Sequence, residues 1–285
     1  MLLRVDDLTY TYMPGTPFEV TALKNVNLSV QSGEFIGVIG HTGSGKSTLI
    51  QHFNGLLRPT SGKVELDGKE ISGDKETLHK ARRRVGLLFQ FPEQQLFEET
   101  VFADVAFGPR NMGLSEQEVQ CRVERALTLV GLKERDIITR SPFSLSSGQM
   151  RRVAIAGVLA MQPDIIILDE PTSGLDPRGK KEILDRIVKL HNEGLTVILV
   201  SHSMEDVARL ADRLVVMSNG EIIMTGKPPE IFFNPAELEQ LGLALPQMTL
   251  LMHKLRQAGK EVPTDVFTVE GAKQAILKML GVQNQ

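Results

Sequence analysis

The sequence predicts an α/β fold built on a mainly parallel β-sheet. Two observations carry this. Short β-branched runs alternate with helical patterns along the chain. Four of those runs, Phe35–Ile39, Val85–Phe89, Ile165–Leu168 and Val197–Val200, are apolar throughout, the composition of strands buried on both faces.

The elements follow in order. Leu2–Thr9, Val26–Val30 and Lys63–Leu66 alternate polar and apolar residues, which predicts a smaller antiparallel piece near the start. Residues of about 92 to 160 hold several helical patterns and no strong strand, so a helical insertion interrupts the α/β core. Val215–Met217 and Glu221–Met224 flank Ser218-Asn219-Gly220, and Asn-Gly between apolar runs predicts a hairpin. After Phe233 the composition changes. Asn234-Pro235 punctuates the chain, and helical segments broken by Pro246, Gly259 and Pro263 follow. The predicted division is a main domain over 1–232 and a small C-terminal domain over 233–285.

The 285 residues are 41% hydrophobic and 24% charged, an ordinary globular balance. A net charge of -3 gives no basic field to favour nucleic acid. The single cysteine, Cys121, excludes an intrachain disulfide and fits a reducing compartment. The start, MLLRVDDL, lacks a signal peptide's basic and apolar regions. No apolar run approaches the roughly 18 residues that cross a bilayer. In a membrane process, another chain must supply the membrane part.

Chemistry enters at Gly40-His41-Thr42-Gly43-Ser44-Gly45-Lys46-Ser47, which matches G-x-x-x-x-G-K-[ST]. The run follows the apolar strand Phe35–Ile39 and precedes the helical stretch Thr48–Gly55, the context a phosphate-binding loop requires. Glycines let the backbone wrap a phosphate chain, and the following helix adds its positive end. Lys46 is expected on the β- and γ-phosphates, and the Ser47 hydroxyl on Mg²⁺. Farther on, Ile165-Ile166-Ile167-Leu168 ends in Asp169 and Glu170. The carboxyl ends of strands are where open α/β sheets place ligands. Asp169 fits a Mg²⁺-holding role and Glu170 a general base for the attacking water.

Leu145-Ser146-Ser147-Gly148-Gln149, followed by Met150-Arg151-Arg152-Val153-Ala154, resembles the LSGGQ signature of ABC ATPases. Gln90, the segment Pro171-Thr172-Ser173-Gly174-Leu175-Asp176, and His202 in Val200-Ser201-His202 stand in that family's order. The resemblance covers residues 1 to about 230. It implies an ABC-type P-loop ATPase with a RecA-like parallel-sheet core, antiparallel β subdomain and helical subdomain, and with ATP and Mg²⁺ as cofactors. It further implies a sandwich dimer, each ATP lying between the P-loop of one subunit and the signature of the other. Ser146, Ser147, Gly148 and Gln149 would then act in trans, with Asp176 connecting the two sites. Gln90 resembles the residue that touches Mg²⁺ and water, and His202 the one that stabilises the γ-phosphate. Tyr12 resembles the aromatic that stacks on adenine, with Tyr10 its competitor. His52, His79, His191 and His253 receive no role. Ser147 departs from the pattern, which has glycine there. Its Cβ is expected to crowd the phosphate or strain the turn.

Within that family, Phe89-Gln90-Phe91-Pro92-Glu93-Gln94-Gln95-Leu96-Phe97, Phe107-Gly108-Pro109 and Arg151–Gly157 resemble the ATPases of energy-coupling-factor (ECF) transporters. The run Asp169–Pro177 is closer to the second of their two paralogous ATPases. This implies an importer of vitamins or transition-metal ions and a peripheral place on the cytoplasmic face of the membrane. A second ATPase subunit, in a heterodimer or a homodimer, would be a partner. A transmembrane coupling subunit and a separate membrane substrate-binding subunit complete the set. The C-terminal segment would help dimerise.

Between Val85 and Pro109 there is no Lys or Arg, yet there are Glu93, Glu98, Glu99 and Asp104 and five phenylalanines. An apolar groove with an acidic rim suits an amphipathic helix bearing arginines, so the stretch after Gln90 is expected to dock the coupling subunit. Two other readings stay open. One is a soluble ABC ATPase acting on DNA or ribosomes. Against it, no sustained heptads separate Lys46 from Ser146 and the chain holds one ATPase unit. The other is a binding-only regulatory subunit, which Glu170 and His202 argue against.

Overall fold

A computed structural model describes residues 1–132 and 136–281. The predicted helical insertion and C-terminal domain therefore each include residues, 133–135 and 282–285, outside the described ones. Two sheets organise the chain. The smaller is antiparallel, in the order β2 (Val20–Val30), β1 (Leu3–Tyr12), β4 (Ser61–Leu66) and β5 (Lys69–Glu70). β1 and β2 both extend beyond the alternating segments of the sequence. Their outer ends pair Thr11 with Thr21 and Tyr12 with Val20, none of them buried, so cross-strand hydrogen bonds carry a stretch that burial does not.

The larger sheet has the order β10 (Glu221–Gly226), β9 (Arg213–Ser218), β3 (Phe35–Ile39), β8 (Thr196–Val200), β7 (Ile165–Asp169) and β6 (Val85–Leu88). Pairing is parallel except at the β9–β10 hairpin. Asn219 and Gly220, with φ of 51° and 84°, make its turn; both central residues have the positive φ that a type I′ turn needs.

The apolar strands are buried on both faces, and alternate residues serve different cores. Phe35, Ile39, Ile166, Leu168, Val197 and Leu199 join the larger one. Ile36, Val38, Ile165, Ile167, Ile198 and Val200 join the second, with the small sheet and α1 (Lys46–Phe53). α2 (Lys75–Arg84) leads into β6.

The helical insertion comprises α3 (Val101–Asn111), α4 (Glu116–Leu129) and α5 (Ser147–Ala160), packed on one another and on the larger core. α6 (Pro177–Asn192) and α7 (Met204–Leu210) complete that side. α8 (Pro228–Ile231) and α9 (Pro235–Gln240) follow β10. The packing does not divide at residue 232, because Leu238, Leu243 and Leu245 belong to the larger core. A separate small core begins with α10 (Gln247–Gln257) and α11 (Val269–Met279), around Met252, Val262 and Ala272. The Gln247 N–H donates to Glu205 Oε1 at 3.2 Å and ties α10 to α7.

Asp104 corrects an expectation. It lines the groove but is not an exposed rim acid: its side chain is buried, and Oδ2 accepts from the N–H groups of Phe97 and Glu98 at 3.1 and 2.9 Å. It caps the loop ahead of α3. Burial raises its carboxyl pKa, and the two N–H bonds oppose that. Asp104→Ala should cost about 1–3 kcal/mol by stranding two part-buried donors, whereas Asp104→Asn keeps an acceptor and should cost less. A raised folded pKa means that stability present at low pH is lost as pH rises through it. The Asn variant should show a flatter pH dependence, measured by urea denaturation of the full chain across the acid range.

Candidate functional site

Four adjacent strands end in register, and each delivers a functional segment. Val38 of β3 pairs with Val200 of β8, which pairs with Asp169 of β7, and Leu168 pairs with Leu88 of β6. The P-loop, Ser201-His202, Asp169-Glu170 and Gln90 therefore line up along one carboxyl edge, the usual ligand edge of a parallel sheet.

The P-loop backbone is glycine-dependent. A Cβ on Gly40 would lie 2.3 Å from the Met217 carbonyl oxygen. Gly45 has φ of 102°, and a Cβ there would lie 2.8 Å from the Ala22 carbonyl oxygen. Lys46 is buried, with Nζ donating to the carbonyls of Gly40 at 2.7 Å and His41 at 2.9 Å. Those oxygens occupy the lysine's donors as phosphate oxygens would. Burial lowers the Lys46 pKa, while Asp169 and Glu170 pull it back up. The Gly220 N–H donates to the Ser44 carbonyl at 3.1 Å, so the hairpin turn braces the loop.

Ser47 and Asp169 meet across the sheet edge: Oγ donates to Oδ2 at 3.0 Å. Burial raises the Asp169 pKa, against the pull of Ser47 and Lys46. Glu170 follows in the left-handed region, with φ of 49°, and its N–H donates to the Val200 carbonyl at 3.0 Å. Among the described residues its Oε1 is buried without a hydrogen-bond partner and lies 3.6 Å from His202 Nε2. Burial, and then the neighbouring Asp169, push the Glu170 carboxyl up to about 7. Burial and Lys46 lower His202. An orphaned acceptor beside an imidazole suits a bound water and a proton transfer. A hard cation fits between Ser47 Oγ and Asp169, since both are oxygen donors already within reach of each other.

A cleft of about 470 Å³ opens beside the P-loop, lined among others by Tyr12, Gly43, Gly45, Lys46, Ser47 and Thr48. Tyr12 Oη is 3.2 Å from Thr48 Oγ1. Tyr10 packs partly buried against the second core and meets Tyr12 edge-on at 4.8 Å. Thus Tyr12, not Tyr10, faces the cleft. Gln90 is exposed at the end of β6, and His41 and Thr42 lie within the loop, joined by a 2.8 Å contact.

Among the described residues, none of Ser146, Ser147, Gly148 or Gln149 lines this cleft. They open α5 instead. Ser146 Oγ accepts from the Gln149 N–H, and Gln149 Oε1 accepts from the Ser146 N–H, a capping box. Ser147 is the first helical residue and is exposed, and it is absent from the positive-φ positions. The expected strain at this serine is therefore not there, because a helix start demands no glycine conformation. Asp176 caps α6 through the Gly179 N–H at 3.1 Å.

A second surface feature is a groove of about 590 Å³ lined by Leu87, Leu96, Phe97, Phe107 and Val158. Phe97 and Phe107 are exposed and stack edge-to-face at 4.9 Å. Glu93 is not a free rim acid: Arg151 holds it in a bidentate pair, with Nη2 at 3.1 Å. Glu98 is half-buried and Glu99 exposed. Arg82 and Arg83 also line the groove; α2 brings them in from outside the cation-free stretch.

The ABC transporter family profile matches residues 23–173. The chain is similar to the energy-coupling factor transporter ATP-binding protein EcfA2 of Clostridium acetobutylicum, 56% identical over 281 residues and 98% of each chain. EcfA2 of Symbiobacterium thermophilum is 56% identical over 273 residues, covering 96% of this chain and 94% of that one. Among solved structures, cbiO1 from Clostridium perfringens, part of the ABC transporter complex cbiONQ, matches with a TM-score of 0.74 at 41% identity. It covers 88% of this chain and 98% of that one. The dimeric post-hydrolysis state of the ATP-binding cassette MJ0796, bound to ADP and Pi, matches with a TM-score of 0.71 at 33% identity. The match covers 80% of this chain and 99% of that one.

Lys46→Ala removes the buried cation of the loop. Hydrogen bonds to charged groups contribute about 1.5–3 kcal/mol each, so ATP affinity should fall by about one to two orders of magnitude. Equilibrium binding of a fluorescent ATP analogue checks this; parent-like affinity would remove the loop from the nucleotide site.

Proposed function

The chain belongs to the ABC transporter family as an ATP-binding protein of the energy-coupling factor type, and from that premise we propose how its residues bind and hydrolyse ATP. It is an ATPase whose turnover drives import by a membrane complex. The observation that carries the site assignment is the convergence of Lys46, Ser47, Asp169, Glu170 and His202 at neighbouring strand ends. In the proposed mechanism the adenine stacks on Tyr12. The loop N–H groups and the N-terminus of α1 receive the phosphates, and Lys46 exchanges its carbonyl partners for β- and γ-phosphate oxygens.

Ser47, Asp169 and Gln90 would hold Mg²⁺, which when bound neutralises developing phosphate charge. Glu170 Oε1 accepts the proton of the attacking water, and His202 donates to the γ-phosphate. The signature residues Ser146–Gln149 act on the opposite nucleotide. Their absence from this chain's own cleft among the described residues supports that. ABC cassettes dimerise, and here a second cassette completes each site; Asp176 would lie where the two sites meet. The small core after residue 246 supports a separate C-terminal unit, which we assign to dimer contacts. The ECF reading places the chain on the cytoplasmic face, peripheral to the membrane, in an importer of vitamins or transition-metal ions.

The groove beside Phe97 and Phe107 is the proposed seat of the coupling subunit's helix. With Glu93 and Asp104 engaged internally, Glu98 and Glu99 remain to orient a basic helix.

Glu170→Gln should keep ATP affinity and lose turnover, so that ATP accumulates in a long-lived closed dimer. Size-exclusion chromatography with Mg-ATP reads the dimer, and normal turnover would sink the base assignment. Glu98→Lys with Glu99→Lys should abolish co-purification with the membrane subunit and uncouple transport, while ATP binding by the isolated chain survives. Normal assembly and transport in that double variant would exclude this surface as the docking site.

A further inference from the structure

Arg151 is the most fully engaged buried cation described in the chain. Its side chain is 2% exposed. Nε and Nη2 reach both oxygens of Glu93 at 3.1–3.2 Å. Nη1 donates to the carbonyls of Pro171 at 3.2 Å and Ser173 at 2.7 Å. Desolvating such a pair is costly, so it is poor evidence for stability and better evidence for a fixed geometry.

Its acceptors bracket the catalytic edge. Glu93 lies in the 3₁₀ turn Pro92–Gln95, which follows Gln90 and Phe91. The capping residue Phe91 has φ of 57°, and its carbonyl accepts from the Gln94 N–H at 3.0 Å. Pro171 directly follows Glu170, which has φ of 49° and whose carbonyl accepts from the Ser173 N–H at 3.1 Å. Two non-glycine residues thus hold left-handed backbones, one beside Gln90 and one at Glu170 itself. Such conformations persist only where the surroundings over-determine them. One rigid guanidinium contacts both segments, through a forked carboxylate pair on one side and two backbone oxygens on the other.

We infer that Arg151 is a positioning residue for ATP hydrolysis: from the signature helix it locks the turn that follows Gln90 to the backbone that aims Glu170. Its side-chain hydrogen bonds go to Glu93, Pro171 and Ser173. Its effect belongs on the chemical step, because the phosphate loop lies outside its contacts. The inference rests on the proposed roles of Gln90 and Glu170.

The test uses the full chain in its assembled transport complex. Arg151→Gln, Arg151→Lys, Glu93→Gln and the Glu93→Gln/Arg151→Gln double variant are compared for fluorescent-ATP affinity and for Mg-ATP turnover. Affinity should stay within about threefold of the parent. Turnover should fall by about 10- to 100-fold in Arg151→Gln, the scale of a small misplacement of reacting groups. Arg151→Lys should be impaired too, since a point charge cannot replace the fork. The double variant should be no worse than Arg151→Gln alone, because both changes open one clamp. Parent-like turnover, an affinity loss matching the turnover loss, or an additive double variant would each overturn the inference. If Arg151→Gln fails to fold, Glu93→Gln decides alone: it leaves the arginine on Pro171 and Ser173, and unchanged turnover there overturns the inference as well. Failure of the base assignment is seen separately, as normal turnover in Glu170→Gln.

Discussion

The register of the parallel sheet is the constraint on which the site depends. Leu88, Leu168, Leu199 and Val38 lie on four neighbouring strands whose carboxyl ends finish together. Both faces of those strands are buried in separate cores. Polar groups have no place along such strands and collect where the strands end. Slipping one strand by a residue would exchange its two faces and move the polar group at its end off the edge. The packing that stabilises the sheet is thus the packing that aligns the chemistry.

Burial also sets the electrostatics of that edge. It raises the Asp169 and Glu170 carboxyls and lowers Lys46 and His202, so each charged form is disfavoured without a ligand. In the proposed mechanism a triphosphate would bring negative charge to Lys46, and a divalent cation would bring positive charge to Asp169. Each supplies the partner that burial withholds. The Glu170 Oε1 is the complementary feature, a buried acceptor with no hydrogen-bond partner among the described residues.

The helical insertion connects this edge to a surface. α5 begins at the signature, passes Arg151 beneath the turn after Gln90, and ends against the groove that holds Phe97 and Phe107. Glu93 and Asp104 are parts of this internal framework. On the proposed docking, a helix seated in the groove would meet Gln95 of the same turn that Arg151 holds.

The sequence by itself determined what local chemistry encodes. Continuous apolar runs marked the buried strands, Asn219-Gly220 marked the hairpin, and the glycines flanking Lys46 marked the phosphate loop. Each depends on residues adjacent in the chain and on backbone preferences that act over a few residues. Only the tertiary structure decided which polar groups were free. It buried Asp104, turned Tyr12 rather than Tyr10 toward the cleft, and gave Ser147 an ordinary helical backbone. It also joined Glu93 to Arg151 across 58 residues. That pairing leaves no local signature, because a buried ion pair is selected by the cavity both side chains share.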